Sequence, residues 1–209
     1  MPNFLMQLSS GRGPVEVRQF VAALAAVLRE DLEGAGAVVE EERQGEPPAS
    51  VLLNVLGVEA ERLQPWLGTH ALLAPLRGKG ARKRWFAEVS LYQPAIAPVL
   101  DRRRLHLQAC RARGPGGQKV NKTSSAVRLR YEGADLKFNL KVQEQRSFQQ
   151  NRTRAMQQVE GLLAQHHRQA EAALAQLRQQ HHDRLQRGGA ARLWTLKVEA
   201  RGRLQIVPA

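Results

Sequence analysis

A chain of 209 residues has room for one ordinary core or two small ones, and 43% hydrophobic with 24% charged residues excludes a disordered chain. Its 32 Lys and Arg against 19 Asp and Glu leave a net charge of +13, which points to a polyanion as the partner. A single cysteine, Cys110, excludes an intramolecular disulfide and any multi-cysteine metal site, and no apolar run approaches the roughly 18 to 20 residues of a membrane span.

The opening MPNFLMQLSSGRGP has no charged leader ahead of an apolar core, so the expectation is a cytoplasmic protein without a membrane partner. NFLMQLSS reads as a first strand that GRGP breaks. In the next stretch Val17, Phe20, Val21, Leu24, Val27 and Leu28 recur at helical spacing, and Gly34 and Gly36 close the helix. AVVEEER and SVLLNVLGV follow as strands, EAERLQPWLGTHALLAP as a second helix interrupted at Pro65 and Gly68, and RWFAEVSLYQ as a fourth strand. The order βαββαβ predicts an α+β, ferredoxin-like domain, a four-stranded sheet with both helices on one face.

PAIAP, residues 94–98, is the linker, because two prolines in five residues sustain neither a helix nor a central strand. The charge balance changes at the same place. Residues 1–100 carry 10 basic and 11 acidic side chains, whereas residues 101–209 carry 22 and 8. The expected organisation is therefore a docking domain at 1–98 and a small basic α/β domain at 99–189, with strands from 190–209 returning to the first sheet. In the second half RLHLQAC reads as a strand, NKTSS as a short turn of helix, and AVRLRYEG with DLKFNLKV as a hairpin around Gly133.

One long helix is predicted from about Gln145 to about Gln186, with a narrow apolar stripe of Val159, Leu162, Leu163, Ala170, Leu174 and Leu177. So narrow a stripe covers one side only. The expectation is that the first turns pack on the small sheet while the segment from His166 to Arg187 projects as a solvated rod. His166, His167, His181 and His182 are then solvated positions rather than metal ligands, since no Cys or acidic partner stands near them at ligand spacing. Trp66, Trp85 and Trp194 read as core, and Cys110 as a small buried apolar residue.

Between strand and hairpin lies RARGPGGQKVN, residues 111–121. Its glycines fit neither the P-loop pattern nor the dinucleotide fingerprint. A bare hairpin tip is the plain alternative. The flanks argue against it: Arg111, Arg113, Lys119, Lys122, Arg128 and Arg130 surround the glycines with no acidic residue between Arg111 and Arg130. Such a tip repels itself and attracts phosphate.

These residues carry a resemblance. Arg111 to Gln118, then Val120-Asn121 and Ser125-Ala126-Val127, resemble the signature of class I peptide chain release factors and related ribosome-rescue hydrolases, built around Gly-Gly-Gln. QEQRSFQQNR, residues 143–152, resembles the family's arginine-serine and asparagine stretch, with Phe148 standing where a polar residue is usual. The chain contains no codon-reading Pro-x-Thr or Ser-Pro-Phe tripeptide and lacks the N-terminal helical domain of full-length factors, so the short bacterial release-factor homologues are the nearest likeness.

The resemblance implies hydrolysis of the peptidyl-tRNA ester on the ribosome, without stop-codon reading and with little activity off the ribosome. It implies Gly116, Gly117 and Gln118 as the catalytic residues, with the Gln118 backbone N–H facing the developing negative charge and its amide positioning water. Arg111, Arg113, Gly114, Lys119, Asn121, Lys122, Arg128, Arg130, Arg146 and Arg152 are the candidate contacts to rRNA and tRNA. Asn121 equally caps the KTSS turn, and Arg146 and Arg152, at the helix start, alternatively anchor the domain or simply pair with neighbours. The expected partners are the ribosome and, through the resemblance, a functional link to an RNA ligase that repairs rRNA; the expected state is a monomer. No cofactor or metal is implied, and N5-methylation of Gln118 is the candidate modification.

Overall fold

A computed structural model describes residues 2–77, 82–113, 123–185, 188–198 and 204–209. They divide into two compact units, residues 1–94 with 174–209, and residues 95–173.

In the first unit β1 (Asn3–Ser9), α1 (Val15–Gly34), β2 (Val38–Gln44), β3 (Ser50–Leu56), a one-turn α2 (Ala60–Leu63), β4 (Gly68–Leu73) and β5 (Arg84–Tyr92) follow in chain order. β9 (Arg192–Val198) and β10 (Leu204–Pro208) complete a seven-stranded sheet ordered β10-β9-β4-β5-β1-β3-β2. The fold is α+β, with β5-β1-β3-β2 in all-antiparallel pairing as the predicted four-strand arrangement requires.

The second helix of that prediction is corrected. Only Ala60–Leu63 is α-helical, Gln64–Trp66 is a 3-10 turn, and Gly68–Leu73 is a strand between β5 and β9. Gly68 at φ +102 gives the sharp change of direction that a side chain there would resist. His70, Ala71 and Leu72 are all buried in succession, so β4 shows no alternation to betray it.

α1 forms because its apolar positions fall on one face. Val17, Phe20, Val21, Leu24, Ala25, Leu28 and Leu32 are buried against Met6, Leu8, Val51, Leu53, Val55, Ala87 and Val89 of the sheet. Each large aliphatic side chain removed from water there contributes about 1.5–3 kcal/mol. The chain turns out of α1 at Gly36, whose φ is +87, while the Ala37 N–H donates to the Leu32 carbonyl at 3.0 Å.

All three tryptophans are core, as expected. Trp66, His70 and Trp194 stack with ring centroids 5.9–6.3 Å apart, and Arg192 lies 4.5 Å over Trp66. His70 is fully buried. Its Nε2 stands 2.8 Å from the Trp66 carbonyl, and its Nδ1 accepts the Trp194 indole N–H at 2.9 Å. The ring is therefore the neutral Nε2–H tautomer, and burial pushes its pKa below the ordinary histidine value.

A histidine depressed in the folded state binds fewer protons there than in the unfolded chain, so stability falls as pH drops below the ordinary value of 6.5. His182, also depressed by burial, acts in the same direction. Denaturant unfolding is expected to show less stability at pH 5.5 than at pH 7.5, and His70→Gln is expected to flatten that difference. An unchanged slope in His70→Gln contradicts the assignment.

The second unit is a three-stranded antiparallel sheet of β6 (Leu105–Cys110), β7 (Ala126–Glu132) and β8 (Lys137–Val142), followed by α3 (Phe148–Asp183), which begins in this unit and ends in the first. The hairpin closes at Gly133, whose N–H donates to the Leu136 carbonyl at 3.0 Å. Val127, Leu129, Val142, Ala155 and Val159 form a small second core, with Met156, Leu163 and Phe148 against it. Phe148 earns its departure from the usual polar residue by this packing. Cys110, expected to be buried, is half-buried at the end of β6.

The end of α3 also differs from expectation. Its last turns, in the first unit, lie on the sheet face opposite α1 instead of projecting into water. Tyr92 Oη is 2.7 Å from His181 Nδ1, and Ser9 Oγ is 2.7 Å from His182 Nδ1. Gly11, at φ +53, sits beneath the end of this segment, where a Cβ would meet Leu185 Cβ at 3.0 Å. His181 and His182 are therefore docking residues. His167 instead faces Glu171 one turn on, at 3.3 Å. Among the described residues no cluster of His, Cys, Asp or Glu could hold a metal, and no helix is long and apolar enough to cross a membrane.

Candidate functional site

From Val127 onward β7 alternates between buried and exposed positions. Val127, Leu129 and Tyr131 are buried, so Arg128 and Arg130 must point to the other face, where both are exposed. Register places Gln108 and Lys141 on either side of Arg128, and His106 and Asn139 on either side of Arg130. Arg128 and Lys141 are thus directly opposed like charges. Such a pair is unfavourable in an isolated sheet and becomes favourable when an anion lies across it. Arg130 differs, because its guanidinium is paired with the Glu132 carboxylate on its own strand.

Lys141 was not among the residues singled out from the sequence. The signal was present in DLKFNLKV, where Lys137, Asn139 and Lys141 alternate on the face that a hairpin at Gly133 sets beside Arg128. Arg111 and Arg113 are exposed on the segment leaving β6. Arg146 and Arg152, at the start of α3, are exposed as well. Arg111, Arg113, Arg128, Arg146 and Arg152 have no ion-pair partner among the described residues, so the reading of Arg146 and Arg152 as members of neighbouring ion pairs finds no support there.

Gly114, Gly116, Gly117, Gln118, Lys119, Asn121 and Lys122 lie outside the described residues. Both ends of that segment are hydrogen-bonded to side chains. On the near side, the Arg113 N–H donates to Gln143 Oε1 at 3.0 Å and Gln143 Nε2 donates back to the Arg113 carbonyl at 2.8 Å. On the far side, Asn151 Nδ2 donates to the Ser125 carbonyl and to the Gln145 carbonyl, each at 2.9 Å, while Asn151 Oδ1 accepts the Gln145 N–H at 2.9 Å.

Asn151 is fully buried, with Ala155 and Val159 one and two turns further along the same face of α3. A buried amide there is tolerated because both N–H groups and its oxygen have partners. Beyond their place in the 143–152 stretch, the sequence offered one signal for Asn151, an Asn at four-residue spacing ahead of the apolar stripe, and none for Gln143. Beside these ties lies a cavity of about 460 Å³ whose lining includes Ala112, Thr123, Ser125, Gln143, Gln145 and Arg146.

Chemically, the arrangement offers cationic side chains for phosphates and two tethered ends for the segment between them. Among the described residues no cluster of His, Cys, Asp or Glu in this unit could hold a metal ion.

Comparison with known proteins agrees with the sequence motif. The RF-1 domain matches residues 95–204. The chain is 32% identical over 199 residues to a peptide chain release factor homolog of Escherichia coli, covering 91% of this chain and 96% of that one. It is 29% identical over 175 residues to peptide chain release factor 2 of a Ruegeria species, of which it spans 44%. Among solved structures, RF2 of Thermus thermophilus aligns at 26% identity with a TM-score of 0.42, over 92% of this chain and 57% of that chain.

Proposed function

Since the chain belongs to the peptide chain release factor family, we propose that it hydrolyses the ester between a nascent peptide and the terminal ribose of P-site tRNA in the ribosome's peptidyl transferase centre. The observation that carries this reading is the Gly-Gly-Gln sequence at residues 116–118, flanked by cationic side chains on a stem tied at both ends. Water attacks the ester carbonyl, and negative charge develops on the carbonyl oxygen and then on the departing ribose oxygen. A fixed N–H donor, that of Gln118, meets that charge. The Gln118 amide orients water and disfavours larger nucleophiles.

No general base is required of the protein if the tRNA hydroxyls and rRNA carry the proton. The free protein then has little activity. Arg111, Arg113, Arg128 and Lys141 neutralise rRNA phosphates, joined by Lys119 and Lys122 from the loop. Counterion release makes this docking steeply dependent on salt.

The finer role we propose is that of the release factor H type: codon-independent rescue, in the cytoplasm, of ribosomes damaged at the decoding centre. Absence of a Pro-x-Thr or Ser-Pro-Phe tripeptide from the sequence supports it. A cleaved decoding-centre RNA would also give an rRNA-repairing RNA ligase its place beside this factor. Rescue on truncated messages is the rival, and those factors use a long basic tail in the empty mRNA channel. Residues 192–198 and 204–208 are paired into the sheet, so these stretches do not serve as such a tail. Peptide release should be measured on intact, mRNA-truncated and decoding-centre-cleaved ribosomes. The fastest release is expected on the cleaved ones; preference for truncated complexes favours the rival, and ribosome binding without release on any of the three makes the protein a noncatalytic RNA-binding factor.

A further inference from the structure

We propose that Gln143 is a positioning residue for this hydrolysis, holding the near end of the catalytic segment in register with the far end. The proposal rests on the peptidyl-tRNA hydrolase reading and adds to it a residue outside the glycine loop. β6 ends at Cys110 and β7 begins at Ala126, so residues 111–113 and 123–125 lie beyond the ladder that joins the two strands. Something other than strand pairing has to fix them. Gln143 does so at Arg113 by using its amide as a substitute peptide group, one donor and one acceptor against one backbone unit.

The far end is fixed from the same place. Asn151 joins the Ser125 carbonyl to both backbone groups of Gln145, and Gln145 lies two residues after Gln143 in the connection from β8 to α3. One short connection thereby braces residue 113 on one side and residue 125 on the other. Ser147 Oγ, accepting the Gln149 N–H at 3.2 Å, and the Arg154–Glu144 pair at 3.5 Å hold that connection against α3. The effect on chemistry follows from tolerance: displacement of a reacting group by about 1 Å costs roughly 10²-fold in rate. A loop hinged at unbraced ends would have to find its geometry anew in every encounter.

A structural role alone predicts something different for Gln143. The side chain is exposed, so removing its two solvent-accessible hydrogen bonds should leave the fold intact. The test is Gln143→Ala in the full chain, assayed for peptide release on ribosomes, with the rate at saturating factor separated from the half-saturating concentration. We expect the saturated rate to fall about 10- to 100-fold. Half-saturation should stay within about twofold, and Tm within about 3 °C. Gln143→Asn, one methylene too short to make both bonds, should fall likewise, while Gln143→Glu, which keeps the acceptor and loses the donor, should lie between.

Parent-like saturated rates in Gln143→Ala overturn the proposal, as does a loss that appears wholly in Tm or half-saturation. The parent chain run beside it keeps the two readings apart: if the parent releases no peptide on any ribosome the hydrolase reading fails, and if the parent and Gln143→Ala release peptide equally fast only the positioning role fails.

Discussion

Peptide release is expected to fall by about 10² to 10³ in Gly117→Ala, which moves the Gln118 N–H away from the developing charge, and less steeply in Gln118→Ala, while ribosome binding stays close to that of the parent chain. The two substitutions act by different routes. A methyl group at 117 narrows the backbone conformations open to the residue and keeps the following peptide from approaching another molecule closely. At 118 the backbone N–H survives and the amide that orients water is lost. Neither change removes a positive charge, so the Coulombic part of docking through Arg111, Arg113, Arg128 and Lys141 is untouched. The measurement is single-turnover release beside sedimentation binding. Release at the parent rate from both variants would falsify the proposed chemistry, whereas loss of binding in step with release would move the loop's role from hydrolysis to attachment.

The glycine loop was legible because its residue types have few other uses together. Three glycines, a glutamine and flanking cations without an acidic residue is a sparse pattern, and β6, β7 and β8 around it alternate apolar and polar positions on a half-buried sheet. The braces were legible only as members of the 143–152 stretch, and not in what they hold. Gln143 and Asn151 are common polar residues whose function depends on where residues 113 and 125 lie in space, 30 and 26 positions away. Arg130, read as one more phosphate contact, is also paired with Glu132 two residues on, a tie between exposed side chains that the sequence did not announce.

In the first unit, α1 and the strands β1, β2, β3 and β5 follow from periodicity. β4 did not. Leu63, Trp66, His70 and Leu73 fall at spacings a helix would use, and Gly68 with Pro65 looked like interruptions of it. What decides for a strand is tertiary: β5 pairs with one edge of Gly68–Leu73 and β9, from more than 120 residues later, with the other. The docked end of α3 was hidden for a related reason. Gln, His and Arg look like solvent-facing residues, and the sheet face they cover is itself polar, with Gln7, Ser9 and Tyr92 on it.

The dependence of β4 on β9 sets the second large expectation: Trp194→Ala should destabilise the protein by roughly 3–5 kcal/mol. Trp194 is 2% exposed, pairs with Leu72 in the parallel β4–β9 ladder, and stacks against both Trp66 and His70. Truncation removes the largest apolar surface that β9 contributes and opens a cavity beside two rings. It also strips the indole N–H from His70 Nδ1, leaving a buried acceptor unpaired unless water enters. If Nδ1 is then hydrated, the histidine regains some freedom to protonate, and the loss of stability between pH 7.5 and pH 5.5 should shrink in Trp194→Ala as it does in His70→Gln. Leu177→Ala, at a position 42% exposed, provides the contrast and should change stability by no more than about 0.5 kcal/mol. Denaturant unfolding of the three chains is the measurement. A Trp194→Ala loss below about 1 kcal/mol would mean that the sheet is complete without β9, and that β4 is held by β5 alone.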